Sequence, residues 1–442
     1  MVLGSRYPEF HTHVVAAARQ FKPTASWKSG ARGVMRVGKN PKNFTQTKAW
    51  QGAEFDFASV VVGARMSFLG EPLNEKQVDK RMAAILEGCP RFFPALLQRG
   101  LYHESIGSGK KAESCFDRGF ELMIELLEGE ELIDAVDGLI EGLENRLRYD
   151  LCCRYLKKLA EMYPEQALYY DYWASSELRS RNGSVKKARK LQEKALQLEP
   201  DNPTFCSNLG WIHLTAGELE DAKHALGKAL SIKPEHGSAR ANMEVLHYLK
   251  KRRGGATFMD FLLRPIDHVE LRKLEDAEDW DELDPIVADY NGSRMAAFKQ
   301  TLLEEGDYLP HQIWNFKTTL ALFFAFVNKT LQDVFLFDDV ATVHQSFKAI
   351  MHKFIFKHRD VDDEIVGDIY ASLALFYPFL SRCKLVADSD YRDFLLDIES
   401  MKPELLEKMH RYNEIRHDDS MSEEEKEDIR DELFEGDHWF PF

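Results

Sequence analysis

The sequence has little that would tie it to an oxidising compartment, a metal or a membrane. Its six cysteines are scattered and form no CxxC pair, which argues against a disulfide framework and against zinc binding. The most apolar run, Leu320 to Val327, has eight residues, whereas a membrane helix needs roughly 20. The first thirty residues lack the apolar core and cleavage site of a secretory signal. We therefore expect a soluble, cytoplasmic protein.

Local catalytic motifs are also missing. The sequence has no GxSxG elbow and no HExxH pair, and no cysteine or serine has an activating histidine nearby. His344, His352 and His358 share one apolar stretch, but their spacing puts them on different faces of a helix, which disfavours a metal site. We expect no catalysis, no metal and no cofactor. An enzyme site built from distant residues of the C-terminal region is the less favoured alternative.

Two glycine-containing segments look like phosphate-binding loops. Residues 33–40 fit the pattern GxxxxGK, but Asn40 stands where magnesium binding needs serine or threonine, and basic residues surround the segment. Residues 107–111 fall where the repeat described below places a turn between two helices. We therefore interpret the first segment as an irregular basic stretch and the second as a repeat turn.

Charge is distributed unevenly along the chain. Residues 1–50 contain nine basic and one acidic side chain, a charge of +8, so a net charge of -15 leaves -23 on the rest. Residues 275–284 include seven acidic side chains, which suits a solvated connection. From Arg416 onward there are eleven acidic and three basic side chains. A basic arm on an acidic body attracts nucleic acid, an acidic partner or the protein's own acidic segments.

A repeat with a period of 34 residues predicts the architecture. Four residues recur at this spacing: Gly183, Ala188, Ala195 and Pro200 return as Gly217, Ala222, Ala229 and Pro234. Two helices of about 12 to 14 residues joined by short turns fill such a period. Glycine ends the first helix, alanine permits close helix approach and proline stops the second helix. Each period is therefore a helix hairpin.

Residues 202–236 resemble the tetratricopeptide repeat family. The signature positions of that family are occupied by Leu209, Gly210, Gly217, Ala222, Ala229 and Pro234. The preceding unit is similar, with Ser176 at its first small position, and another begins near Pro94. An irregular unit without a turn glycine fits between about 127 and 164, where longer helices or a different junction are expected. A capping helix, with Ser238 as its N-cap, is predicted to close the array.

The predicted fold is all-α, a tetratricopeptide-type α-solenoid of helix hairpins followed by a second helical domain. We divide the chain into a basic, largely irregular arm (1–55), a helical cap (56–92), an array of about four units plus a capping helix (93–253), a C-terminal helical domain (258–415) and an acidic tail with an aromatic end (416–442).

The resemblance implies a groove lined by the first helices of the repeats. Its side chains in two successive units would be Tyr170, Trp173, Glu177, Ser180 and Arg181, then Thr204, Ser207, Trp211, Leu214 and Thr215. Aromatic side chains on such a surface are suitable anchors for a partner. The alternative is that they pack against the flanking domains.

We therefore expect a scaffold or adaptor that binds one or more proteins as part of a complex, without membrane contact. The rival is a nucleic-acid-associated regulator in which Trp27 and Trp50 stack on bases. Its phosphate-binding cations would be the arm residues Lys28, Arg32, Arg36, Lys39 and Lys42. The strongly negative body of the protein argues against this rival.

Overall fold

The computed structural model describes residues 44–63, 75–252, 255–331, 335–358 and 361–436. The predicted arm cations and the aromatic end of the tail, residues 438–442, lie outside these ranges.

All regular elements within the described ranges are helical, so the predicted all-α class, a solenoid of helix hairpins with further helices, is confirmed. A short 3-10 helix, Phe44–Gln46, comes first. The α-helices are α1 Lys48–Gly63, α2 Glu75–Gly88, α3 Phe93–Ser105, α4 Gly109–Leu126, α5 Gly129–Asn145, α6 Tyr149–Met162, α7 Ala167–Arg179, α8 Val185–Leu198, α9 Pro203–Thr215, α10 Leu219–Ile232, α11 Gly237–Lys251, α12 Phe258–Leu262, α13 His268–Asp276, α14 Trp280–Glu305, α15 Pro310–Leu331, α16 Val340–Lys357, α17 Asp363–Arg382, α18 Asp388–Arg416 and α19 Glu423–Phe434. None of these helices has the length and apolar character needed to cross a lipid bilayer.

The chain divides into two units after Tyr155. In the first unit, α1 begins at Lys48, eight residues before the boundary expected for helical structure. Trp50 explains this earlier start, because its indole is 3% exposed and its ring centroid lies 4.7 Å from that of Phe92. Trp50 is therefore a core residue of the first unit and is not exposed for the base stacking that the rival nucleic-acid hypothesis assigned to it.

The two helix hairpins of the first unit share one type of turn. Between α3 and α4, the amide of Ser108 donates over 2.7 Å to the carbonyl five residues earlier, and Gly107 has a φ of 71°. Between α5 and α6, the amide of Arg148 makes the same bond over 2.9 Å, and Leu147 takes the glycine position with a φ of 59°. This closing pattern is the Schellman motif. The junction without glycine is therefore ordinary, and the irregularity lies in α5, which has 17 residues against 13 in α3.

The second unit contains two further hairpins, α7–α8 and α9–α10, followed by α11. The N-cap of α11 is His236, whose imidazole accepts from the amide of Ala239, and not Ser238 as expected. Leu246 and Leu249 of α11 are buried in the same cluster as Ala222 and Leu226 of α10. The predicted capping role of this helix thus has a direct packing basis.

The C-terminal helices α15 to α18 pack around phenylalanine side chains. The Phe324 ring stacks on that of Phe337 with a centroid separation of 4.2 Å and lies 5.6 Å from that of Phe376. Phe324 and Phe376 are fully buried. Such aromatic pairs contribute about 0.5–1.5 kcal/mol each beyond the area that they bury.

Both acidic segments contain helical residues. Residues 275–284 are mostly exposed and connect the end of α13 to α14, which begins at Trp280 where the Asp279 carboxylate accepts from the amide of Glu282 over 3.3 Å. Carboxylates in the first turn suit the positive end of a helix. The predicted tail contains α19, whose Phe434 is fully buried beside Tyr412, with ring centroids 5.1 Å apart.

Candidate interaction surface

The first helices of the two hairpins in the second unit are related by 36 residues. The second helices, α8 and α10, start 34 residues apart, as the repeat period predicts, but α7 starts at Ala167 and α9 at Pro203. The additional two residues lie in the turn between α7 and α8, which covers residues 180–184, whereas the turn between α9 and α10 covers 216–218.

Helix packing follows the 36-residue relation. Gly210 lies at a close approach of α9 to α10, since a Cβ atom there would lie 2.6 Å from the Leu226 side chain. The residue 36 positions earlier is Ala174, which is fully buried and clusters with Ala188 of α8. Ala174, rather than the predicted Ser176, is therefore the small contact residue of α7.

The hydrogen bonds between successive first helices use acceptors that are also 36 residues apart, Asp171 and Ser207. The Asn208 amide of α9 donates to the Asp171 carboxylate of α7 over 2.9 Å. The Asn242 amide of α11 donates to the Ser207 hydroxyl of α9 over 3.4 Å. Asp171 also accepts from Gln192 over 2.6 Å, and its burial raises the pKa of its carboxyl group. These polar links fix the register of α7, α9 and α11.

The groove residues predicted for the α7 unit therefore lie two residues too far along the chain to match those of α9. The matching residues are Leu168, Asp171, Ser175, Leu178 and Arg179. The displacement could not be detected from the repeat alone, because the glycine and alanine markers belong to the turn and to the second helix.

Trp173 and Glu177 face the start of α8. The Lys187 ammonium lies 5.0 Å from the centroid of the Trp173 ring, within cation–π distance. Lys187 also donates to the Glu177 carboxylate over 2.8 Å, and the other oxygen of Glu177 accepts from the Ser184 amide. Because Glu177 is buried in this turn, it is not an accessible groove residue.

The other three predicted residues of this unit do not share a surface with Trp173 and Glu177. The Tyr170 hydroxyl is 3.5 Å from the Ala160 carbonyl oxygen. Ser180 and Arg181 belong to the longer turn, where the exposed Arg181 guanidinium donates to the Gly306 carbonyl over 3.3 Å. Arg181 thus connects the array to the C-terminal end of α14.

The five predicted residues of α9 divide into buried and accessible positions. Ser207 and Leu214 are fully buried, so their assignment to a groove surface is corrected. Thr204 is exposed, with its hydroxyl 3.2 Å from the His236 ring. The Thr215 hydroxyl donates back to the Ile212 carbonyl. Trp211 is half-buried and is the aromatic anchor that fits the prediction best.

Trp211 belongs to a surface that we call the α9–α11 face, formed by Thr204, Trp211, Ala241 and Tyr248. Spacings of seven residues place Thr204 and Trp211 on one side of α9, and Ala241 and Tyr248 on one side of α11. Thr204 and Ala241 are exposed, whereas the two aromatic residues are half-buried.

The short helix α12 covers the aromatic end of the α9–α11 face. The Phe258 ring meets the Trp211 ring edge to face with centroids 4.4 Å apart, and Phe261 meets Tyr248 at 5.4 Å. The Tyr248 hydroxyl donates to the Asp260 carbonyl over 3.1 Å. Trp211 thus packs against a segment that flanks the array, which is the alternative to an open groove.

Helix α12 is fixed at both ends by hydrogen bonds. Thr257 and Asp260 form a reciprocal capping box at its start. At its end, the buried Arg294 donates to the Leu262 carbonyl over 2.6 Å while forming an ion pair with Asp338. The sequence analysis did not predict α12, although Thr257 and Asp260 have the spacing of a capping box and Phe258 and Phe261 are three residues apart.

One group in the described residues has three potential metal ligands within 4.8 Å of one another: His213, Glu218 and Asp221. The Arg189 guanidinium binds the Glu218 carboxylate through both oxygens, at 2.5 and 2.6 Å, and His213 approaches to 2.6 Å. These two partners lower the pKa of Glu218, the hydrogen bond with His213 being the largest single cause. The group is therefore a salt-bridged repeat turn.

A comparison with models of protein families supports the repeat assignment for part of the chain. A model of the tetratricopeptide repeat family matches residues 181–244. No curated protein matches the chain. Among solved structures, the crystal structure of the P58(IPK) TPR domain is similar, with 12% sequence identity and a TM-score of 0.21, over 80% of this chain and 98% of that one. The chain thus carries tetratricopeptide repeats, matched over residues 181–244.

Proposed function

We propose that this protein is an intracellular, non-catalytic scaffold or adaptor that binds partner proteins through its repeat array. The observation that supports this function best is the contact between the α9–α11 face and α12. A surface that holds a short aromatic helix through Trp211 and Tyr248 has the chemistry of a helix-binding groove. Tetratricopeptide repeats offer such surfaces because each hairpin presents its first helix beside the next one.

The accessible part of the α9–α11 face adjoins the aromatic contact. Thr204 and Ala241 are exposed about two turns before Trp211 and Tyr248. A partner segment that contacts the exposed positions and the rings together would bury a central aromatic patch with a polar rim, the usual arrangement of a protein interface.

An affinity purification with two variants tests this function. Ala241→Arg places a long charged side chain on the face without removing a buried group, and Lys223→Ala on α10 changes an exposed residue of a second helix. We expect recovery of the bound proteins to fall about tenfold for Ala241→Arg and to stay unchanged for Lys223→Ala. Equal recovery with both variants, each folded as shown by circular dichroism, would exclude the face as the binding surface.

A further inference from the structure

We propose that α12 is a resident ligand of the α9–α11 face, and that partner segments which bind there have the same chemistry and displace it. That chemistry is a short helix with two aromatic side chains three residues apart and an acidic residue between them. This inference rests on the proposed scaffold function. It adds the class of the partner segment and a state in which α12 of the same chain covers the surface.

The contacts of α12 are those of a bound peptide. Phe258 and Phe261 lie on one side of the helix because they are three residues apart, and each ring meets one aromatic residue of the face. Both rings are only half-buried and pack on the outside of the buried cluster, while Leu262 at the end of α12 is itself buried. A competing helix can therefore take the same position without opening the hydrophobic cluster beneath.

The exposed Arg252 beside α12 favours an acidic partner segment. Its guanidinium lies 4.7 Å from the Tyr248 ring centroid, whereas that of Arg264, 4.4 Å from the Phe261 ring centroid, is already paired with Asp289. Hydrogen bonds from Thr257 lower the pKa of Asp260, and the charge of Arg252 adds a smaller effect in the same direction. A partner with a carboxylate between its aromatic residues would keep this electrostatic arrangement.

The length and attachment of α12 suit exchange. It has five residues, far fewer than the roughly 12 to 15 that an isolated helix needs, so its helical form depends on the capping box and on the face. The bond from Arg294 to the Leu262 carbonyl holds only its C-terminal end. Release of Phe258 and Phe261 with retention of this bond would uncover Trp211 and Tyr248 while the rest of the C-terminal helices stay in place.

A labelled synthetic peptide of residues 255–265 tests the inference in trans. Full-length protein with Phe258→Ala and Phe261→Ala together has an uncovered face, so it should bind the peptide at least about tenfold more tightly than the unchanged protein. Trp211→Ala in the same background should abolish binding, and a peptide with both phenylalanines replaced should not bind. Failure of the folded double variant to bind the peptide, or equal affinity of both proteins, would overturn the proposal.

Hydrogen exchange of the unchanged protein provides a second test that does not depend on the variant. The amides of α12 should exchange at least about tenfold faster than those of α11, because release of α12 precedes unfolding of the array. Equal protection would show that α12 is a permanent part of the fold. Neither test uses a cellular partner, so their failure is distinguishable from a failure of the scaffold function, which the affinity purification measures.

Discussion

The Trp211 indole and the Phe258 ring meet edge to face with their centroids 4.4 Å apart, and this contact joins the repeat array to the helix that follows it. Trp211 is the predicted groove residue that lies on an accessible surface and has an aromatic partner. Its partner comes from α12, a segment outside the repeats.

The energy of this contact is measurable by a double-mutant cycle. We expect a coupling of about 1 kcal/mol between Trp211→Ala and Phe258→Ala in urea unfolding, the usual value for an edge-to-face pair. A matched cycle between Trp211→Ala and Lys223→Ala, an exposed residue of α10, should give about zero. A coupling equal to that of the control cycle would contradict the assigned contact.

Two glycines of the same repeat should respond in opposite directions to alanine. Gly210→Ala brings a Cβ atom 2.6 Å from the Leu226 side chain and should destabilise the protein by about 1–3 kcal/mol. At Gly227, a Cβ atom would meet no described atom within 4 Å, so Gly227→Ala should stabilise the protein by about 0.5–1 kcal/mol through helix propensity. Chemical denaturation checks both signs, and equal effects would refute the close approach of α9 and α10.

In this repeat, the sequence predicts the period and the helix contacts but not the position of α7. The period, the class of fold and the close helix contact follow from Gly210, Ala222 and Pro234, because small and helix-ending residues have direct steric consequences. The shift of α7 does not follow, since the length of a turn changes the first helix without moving the markers in the second. Burial of Ser207 was also not predictable, because it depends on Asn242 of the next helix.

The buried Asp171 carboxylate should make stability depend on pH. Burial raises its pKa above the usual 3.8, so the folded state binds the proton more tightly than the unfolded chain does. The stabilising contribution is complete below the usual pKa and is lost as the pH rises through the raised value. Relative to Asp171→Asn, the unchanged protein should therefore lose unfolding free energy with rising pH, by at most about 1.4 kcal/mol per unit.

Urea unfolding of both proteins between about pH 4 and 7 measures this difference. The comparison cancels the titration of all groups that the two proteins share. A difference that does not change with pH would show that Asp171 keeps an ordinary pKa in the folded protein.

The stability of helix α19 should depend on the Phe434 side chain. This side chain is fully buried beside Tyr412, whereas the Glu435 carboxylate next to it is held by Lys408 and Lys348, whose hydrogen bonds lower its pKa to about 2. Phe434→Ala should accelerate proteolysis within residues 423–436 by at least about tenfold, because exposed ion pairs alone hold a helix weakly. Leu396→Ala, at a residue that is 70% exposed on α18, is the control and should leave the rate unchanged.

Site-specific photo-crosslinking in cells tests the scaffold function most directly. A photoreactive amino acid at Ala241, on the exposed part of the α9–α11 face, should capture a defined partner protein. The same group at Lys223, on the second helix α10, should not capture it. Capture of that protein from Ala241 and not from Lys223 is the predicted result, and equal capture from both positions, or capture from Lys223 alone, would contradict the account.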